Sequence, residues 1–190
     1  PGSSSPDRFL LMYAGYLGTW YMLNEMLDFF IELKKRKKNA HLLIDTLSDH
    51  DYVRGVILKK EIVPCDFTLV SKGYNDMHMF IASADAAIMF IKPVYSKIAS
   101  CPTKFAECLA CGLPVIINSR IGDTQELIIQ NRVGVVIDDF SQGCYRMAVE
   151  DLLALKADSN LAQRCRSVAQ KNFSLEYGVE KYLEVYRSLS

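Results

Sequence analysis

The sequence has no surplus of charge of either sign, because 22 lysines and arginines stand against 22 acidic residues. A protein that binds nucleic acid usually carries a basic surplus, since contacts to phosphates supply much of its affinity. The balance therefore argues against an extended polyanion and predicts no nucleic-acid partner. The printed sequence also lacks an apolar run long enough to span a bilayer and a secretory signal pattern.

The sequence also lacks the second ligand pair that a zinc site would need. Of six cysteines, Cys108 and Cys111 form a Cys-x-x-Cys, but both lie within an apolar helical pattern, and no second pair accompanies them. We expect buried free thiols, because unpaired cysteine is among the most buried residue types. Reduced thiols indicate the cytosol, so we expect a cytoplasmic protein.

What the sequence does contain is a regular alternation of strand and helix patterns. Half of its 190 residues are hydrophobic, which is enough for one domain with its own core. Apolar runs of strand length lie at residues 9–14, 41–45, 67–70, 86–90, 114–118 and 134–137. Helical patterns lie between them at 22–37, 51–60, 75–83, 102–111 and 124–130 and after them at 142–155, 159–172 and 175–189.

This alternation predicts an α/β fold: a Rossmann-like, doubly wound, parallel six-stranded sheet with helices on both faces and three C-terminal helices. Strands that are apolar almost throughout are typical of parallel sheets covered on both faces. We expect residues 8–190 to form this domain and residues 1–7 to be a flexible linker or a cloning remnant. The amphipathic last helix is expected to dock on the core through a face that includes Tyr182 and Tyr186.

In the common six-strand order, ligands bind beyond the carboxyl ends of the first and fourth strands. The loop after the first strand, GYLGTWY, carries Gly15 and Gly18, which permit a tight turn and a close approach of backbone to a phosphate. It lacks the third glycine of the dinucleotide fingerprint, so by itself it is a weak signal.

The loop after the fourth strand leads into a helix with the sequence CPTKFAECLACG. The pattern predicts Ser100 or Cys101 as its cap and Pro102 in its first turn. Free N–H groups beside Lys104 attract an anion, and Glu107 can accept hydrogen bonds from the two hydroxyls of a ribose. An ordinary i,i+3 surface ion pair explains the same two side chains equally well, so both interpretations stay open at this point.

These residues resemble a known family. CPTKFAECLACGLPVI is similar to the signature of the nucleotide-sugar-binding half of GT-B glycosyltransferases, the retaining group 1 or family 4 type that builds bacterial surface polysaccharides and glycoconjugates. YAGYLGTWYMLNEMLDFF resembles the first strand, glycine loop and helix of that half, and ADAAIMFI, NSRIGDTQELI and FSLEYGVEKYLEVYRSL resemble its later segments. The resemblance extends over nearly all of residues 9–189.

The resemblance implies the donor-binding half of a hexosyl-type transferase, with its N-terminal acceptor-binding domain absent from this chain and little activity without it. The implied substrate is a UDP- or GDP-sugar, with no cofactor and no metal. Lys104 and Glu107 are the implied catalytic residues. Residues 72–74 are implied to contact the nucleotide base. The donor-binding positions carried over are Gly15, Tyr16, Gly18, Lys72, Gly73, Tyr74, Ser96, Lys97, Ser100, Pro102, Thr103, Lys104 and Glu107.

Two departures from the family pattern keep alternatives open. Ala99 stands where the family commonly has a second glutamate, which leaves the sugar contact to Ser96 or Ser100. The usual basic pair near the glycine loop is replaced by aromatic residues at 16, 20 and 21, which leaves its charge to Lys97 or Lys104. A catalytically decayed nucleotide-binding or interaction module, and a sugar-nucleotide epimerase of GT-B-like fold, are the alternatives.

Two charged motifs have ordinary structural explanations. Asp49 and Asp51 form the only Asp-x-Asp, just after the second strand, where helix capping explains them better than a metal site. The basic run at residues 34–38 ends a predicted helix, where cations interact favourably with the helix dipole. Contact of that run with an anionic membrane is the alternative, and peripheral membrane contact stays open for the full-length enzyme.

Overall fold

The computed structural model describes residues 8–73 and 76–189. In this part of the chain six parallel strands form one sheet in the order β3-β2-β1-β4-β5-β6. The strands are β1 (Leu10–Ala14), β2 (His41–Asp45), β3 (Phe67–Val70), β4 (Ala86–Met89), β5 (Val115–Asn118) and β6 (Gly134–Ile137). The predicted doubly wound, Rossmann-like fold class is confirmed.

The described helices follow the predicted pattern. They are α1 (Leu23–Arg36), α2 (His50–Lys59), α3 (Met77–Ala82), α4 (Tyr95–Ile98), α5 (Thr103–Ala110), α6 (Thr124–Asn131), α7 (Gln142–Lys156), α8 (Leu161–Phe173) and α9 (Leu175–Ser188). Predicted and observed bounds differ by no more than two residues. The sequence patterns did not predict α4 or the single 3₁₀ turn at Pro64–Asp66.

The sheet separates two hydrophobic clusters. Successive side chains of a strand point to opposite faces, and in β1 Leu11 and Tyr13 join one cluster while Met12 joins the other. Helices α1, α2 and α7 cover the first face, and α3, α5, α6 and α8 cover the second. Both faces are thus buried, which explains why the strands are apolar at nearly every position.

The cysteines only partly match the expectation of buried thiols. All six are free thiols. Cys108 and Cys165 are buried, but Cys111 is half-buried, and Cys65 and Cys101 are exposed. Burial raises the pKa of Cys108 well above its ordinary value, which keeps this thiol protonated and unreactive.

The basic run lies at the C-terminal end of α1, with Lys34, Lys35 and Arg36 in the last turn, where cations interact favourably with the helix dipole. The Lys34 ammonium donates to the carbonyls of Lys38 (2.8 Å) and Ala40 (3.2 Å) and pairs with Asp66 at 2.7 Å. Two further cations of the run pair with acidic residues, Lys35 with Glu32 and Arg36 with Glu150. Its positive charge is therefore largely compensated within the domain.

The last helix departs from expectation. Helix α9 contacts α8, but none of its residues at 175–188 is buried, and Tyr182 and Tyr186 are 72% and 67% exposed. The prediction that this face docks on the core is wrong, because the helices that precede α9 cover the two hydrophobic clusters and neither cluster includes a residue of α9.

Candidate functional site

The winding of the chain reverses between β1 and β4, and the loops that follow these strands meet there. Tyr21 and Ile91 form an antiparallel bridge. Two flanking hydrogen bonds extend it, from Met22 N–H to the Phe90 carbonyl (2.9 Å) and from Lys92 N–H to the Trp20 carbonyl (2.8 Å). The two loops are therefore joined where they leave the carboxyl edge of the sheet, and the region between them, here called the crevice, is where doubly wound folds bind ligands.

The glycine loop is fixed to the neighbouring strand. Gly15 has a φ of 148°, a conformation that side chains disfavour, and its N–H donates to the Asp45 carbonyl at 2.9 Å. A Cβ on Gly18 would lie 2.4 Å from the Tyr16 ring, so this ring packs directly on glycine backbone. The Tyr13 hydroxyl donates to the Tyr16 carbonyl at 3.0 Å. The loop thus combines glycine backbone with an exposed aromatic ring.

The segment after β4 places a lysine against the glycine loop. The Lys97 ammonium lies 5.2 Å from the centre of the Trp20 ring, a cation–π contact across the two loops. The Lys97 carbonyl accepts hydrogen bonds from the N–H groups of Ser100 and Gly122, both at 3.2 Å. Ser96 lies exposed beside Lys97 in α4. Ser96, Lys97 and Ser100 therefore lie close together in the segment after β4, and Lys97 contacts the glycine loop.

Helix α5 begins at this crevice with an uncapped end. Pro102 is the N-cap residue, rather than the predicted Ser100 or Cys101, and no side chain caps the helix. Pro102 has the extended conformation typical of an N-cap, and its carbonyl accepts the N–H of Phe105 at 2.9 Å. The N–H groups of Thr103 and Lys104 precede this first internal hydrogen bond, so they remain available to an acceptor outside the helix.

Lys104, in the first turn of α5, forms an ion pair with Glu107, about one turn further along the helix. The Lys104 ammonium lies 2.6 Å from Oε2 of Glu107, and their side chains are 27% and 31% exposed. Such partly exposed pairs contribute roughly 0–1 kcal/mol, so exchanging one partner for a ligand costs little. Burial raises the pKa of Tyr21, and the Lys104 ammonium opposes this rise, which places its charge near the glycine loop.

The Glu107 carboxylate is also reachable from the surface. It lines a groove of about 570 Å³ between α5 and α8, together with Thr103 and the small side chains of Ala106 and Ala110. Thr103, Lys104 and Glu107 thus lie together near the start of α5, and Glu107 also lines the groove between α5 and α8.

The residues predicted to hold the nucleotide base are less closely connected to this crevice. Lys72 and Gly73 are exposed after β3, two strands away from β1, and Tyr74 lies outside the described residues. The Lys72 N–H donates to Oδ1 of Asp45 at 2.6 Å, and the carbonyl of the same Asp45 accepts from Gly15. Asp45 therefore links the loop after β3 to the glycine loop.

Sequence reasoning missed two buried polar residues at the ends of strands. Asp45 ends β2 with 4% exposure, and Asn118 ends β5 with 3%. Asn118 bonds to both backbone groups of Ile91 in the loop after β4. The available signal was a polar residue that closes an otherwise apolar buried strand, because such a group needs partners within the fold.

Two other expectations concern metals and membranes. Oδ1 of Asp49 accepts the N–H groups of Asp51 (2.9 Å) and Tyr52 (3.2 Å), so its predicted role as the cap of α2 is confirmed. Within residues 8–73 and 76–189 no three histidine, cysteine or acidic side chains form a group that could hold a metal ion. In the same ranges no helix combines the length and hydropathy required to cross a bilayer.

The six-stranded parallel sheet with helices on both faces is a Rossmann-like fold that matches one half of a GT-B fold. The family of glycosyl transferases group 1 matches residues 2–172, and the chain belongs to this family. The prediction drawn from the signature residues is thereby confirmed at the level of the family and the fold. A search of curated protein sequences found no match.

Solved structures agree with this fold. WaaG, a glycosyltransferase involved in lipopolysaccharide biosynthesis, is 21% identical, with a TM-score of 0.71 over 95% of this chain and 47% of that one. Sucrose-phosphate synthase from Thermosynechococcus elongatus is 18% identical, with a TM-score of 0.70 over 98% and 46%. AviGT4, involved in avilamycin A biosynthesis, is 19% identical, with a TM-score of 0.66 over 96% and 51%. The chain thus spans about half the length of these structures.

Proposed function

We propose that this chain is the donor-binding half of a retaining, family 4 type glycosyltransferase and that it holds a UDP- or GDP-hexose in the crevice. The observation that carries the proposal is the open N-terminus of α5, with Lys104 in its first turn paired to Glu107 about one turn further on. In this proposal the enzyme acts in the cytoplasm, on a surface polysaccharide or another glycoconjugate, with an acceptor held by a further N-terminal domain.

The diphosphate binds at the helix end in this proposal. The N–H groups of Thr103 and Lys104, together with the partial positive charge of the helix N-terminus, favour an anion there. Lys97 and Lys104 supply the full positive charges that the family's missing basic pair would provide. When the bond to the sugar breaks, negative charge grows on the departing diphosphate, and donors already fixed in place stabilise it at little reorganisation cost.

Glu107 holds the ribose in this proposal. Its carboxylate is acceptor-only and can receive both ribose hydroxyls, which releases the Lys104 ammonium towards the phosphates. The exchange converts a weak surface ion pair into two interactions with the ligand. The proposed contacts of the nucleotide base remain Lys72, Gly73 and Tyr74. The donor sugar would be contacted by Ser96 or Ser100, because Ala99 stands where the family commonly has a second glutamate.

Thermal protection by UDP and GDP tests this function, with melting followed at increasing nucleotide concentration. At about a hundred times the dissociation constant, a ligand stabilises the folded state by roughly 2.7 kcal/mol. For a domain of this size, such a gain corresponds to a rise of roughly 5–10 °C in melting temperature. We expect this rise in the wild-type chain and none in Glu107→Gln.

The matched control is Glu184→Gln. Lys181 and Glu184 in α9 form an ion pair with the same i,i+3 spacing, at 2.8 Å, far from the crevice in sequence and exposed. Glu184→Gln removes an equivalent pair and should keep the full protection. Equal protection of all three proteins, or no protection of the wild type by any nucleotide, would contradict the proposed site.

A catalytically decayed interaction module is the second candidate, and one observation favours it. Trp20 and Tyr21 replace basic residues, and Lys97 is engaged by the Trp20 ring. A sugar-transfer assay of the full-length protein distinguishes the two proposals, because a decayed module would bind the nucleotide but transfer no sugar. An epimerase has less support, because His41, His50 and His78 all lie outside the loops after β1 and β4.

A further inference from the structure

Asn118 occupies an unusual place at the carboxyl end of β5. Strand pairing between β4 and β5 ends with Met89 opposite Ile117, so Ile91 lies beyond the last backbone pair. The Asn118 side chain continues the connection there: Oδ1 accepts the Ile91 N–H at 2.7 Å, and Nδ2 donates to the Ile91 carbonyl at 2.9 Å. Nδ2 also donates to the Ser119 carbonyl at 3.0 Å.

The residue that Asn118 holds lies at the junction of the loops after β1 and β4. Ile91 is 3% exposed, and its other side forms the antiparallel bridge with Tyr21. Segment 90–92 is therefore held between the Asn118 amide and segment 20–22. The loop after β1 connects this junction to the glycines and Trp20, and the loop after β4 connects it to Lys97 and the start of α5.

A side-chain amide suits this position because of its hydrogen-bonding groups. A single amide can bond an N–H and a carbonyl of the same residue at once, as a peptide group in a neighbouring strand would. An apolar residue would leave both backbone groups of a buried residue unsatisfied, at a cost that is larger inside a protein than in water. Asn118 thus continues the sheet beyond the point where β4 and β5 separate.

We propose that Asn118 is a positioning residue that sets the separation between the glycine loop and the N-terminus of α5, and thereby the affinity of the crevice for a nucleoside diphosphate. Asn118 acts through Ile91 and does not touch the ligand. The affinity part of this inference rests on the proposed function. The positioning part rests only on the contacts of Asn118 and Ile91.

Asn118→Asp is the test variant, because aspartate has almost the same shape but replaces the donor group with an acceptor. The new oxygen faces the carbonyl oxygens of Ile91 and Ser119 and repels them, so segment 90–92 should shift. Trp20 is the only tryptophan in the sequence, and its carbonyl accepts the Lys92 N–H beside the bridge, so its fluorescence reports the shift directly. We expect a changed Trp20 emission and a tenfold or greater rise in the Kd for UDP or GDP.

Asn131→Asp is the matched control. Asn131 ends α6 at the opposite edge of the sheet, and its Nδ2 donates to the Leu127 carbonyl at 2.9 Å. This variant makes the same chemical change and should lose unfolding stability without altering Trp20 emission or the Kd. Asn118→Ser, which keeps one short hydroxyl group, replaces Asn118→Asp if that protein does not fold, with the same expected direction.

The outcomes separate the two proposals. If folded Asn118 variants keep wild-type emission and wild-type Kd while only their unfolding midpoint falls, the positioning role is overturned. If the wild type binds no nucleoside diphosphate, the proposed function fails, and the emission of Trp20 alone decides whether Asn118 positions the loops. Equal changes in Asn131→Asp would also overturn the proposal, because they would show that general destabilisation is sufficient.

Discussion

Among the glycines in the described part of the chain, Gly134 leaves the least room for a side chain. It begins β6, and a Cβ built there would lie 2.1 Å from the Val115 carbonyl oxygen in β5. Backbone, unlike the end of a flexible side chain, cannot move aside cheaply, so the close approach of the two strands depends on this glycine. Gly55 provides the contrast, since a Cβ there would meet nothing within 4 Å on helix α2.

Alanine at these two glycines should have opposite effects on stability. Gly134→Ala forces β6 away from β5 and should lower the free energy of unfolding by about 2 kcal/mol or more. Gly55→Ala reduces the conformational freedom of the unfolded chain at a helical position, so it should raise the free energy of unfolding by roughly 0.5–1 kcal/mol. Urea denaturation of both variants measures the difference. A neutral Gly134→Ala would mean that the strands separate more easily than their spacing indicates.

The individual residues of the site were predictable to different degrees. Gly15 and the pair Lys104 and Glu107 could be found from residue type and spacing, because each acts within its own loop or turn. The contact of Lys97 with Trp20 joins residues that are far apart in the chain, and it depends on a bridge between two loops that no local pattern encodes. Asn118 was missed for the same reason, since its partners lie in the loop after β4.

At the scale of elements, helix ends decide how the charged motifs behave. Asp49 caps α2 by accepting two backbone N–H groups, whereas Asp51 lies in the first turn and contributes only its charge. The long helices were predictable from their apolar periodicity. The four residues of α4 bury nothing and give no such signal, and the uncapped start of α5 at Pro102 depends on how the preceding loop enters the helix.

Asp49→Ala should therefore destabilise the chain by about 1 kcal/mol, the usual cost of removing an N-cap. Asp51→Ala, the control, should cost only a few tenths of a kcal/mol, because it removes an exposed charge near the helix N-terminus. Thermal melting with and without millimolar Mg²⁺ checks the cause. Stabilisation of the wild type by Mg²⁺ that disappears in both variants would contradict the capping role and indicate a metal site.

At the scale of the whole molecule, strand order and the division of the core follow from general rules. Alternating strands and helices, with right-handed crossovers, leave few ways to arrange six parallel strands, and this chain adopts the doubly wound one. The surroundings of the outermost helix follow from no such rule. The apolar face of α9 predicted burial, but α7 and α8 had already completed the two layers.

The exposure of α9 has a consequence for how the molecule opens. A helix that buries no residue adds little to the cooperative unit, so its amides should exchange with solvent deuterium through local opening, long before the sheet unfolds. We expect amides in residues 175–188 to exchange at least about a hundredfold faster than those of β1 and β4, as measured by hydrogen–deuterium exchange with mass spectrometry. Equal protection of α9 and the sheet would show that this helix is held as firmly as the strands.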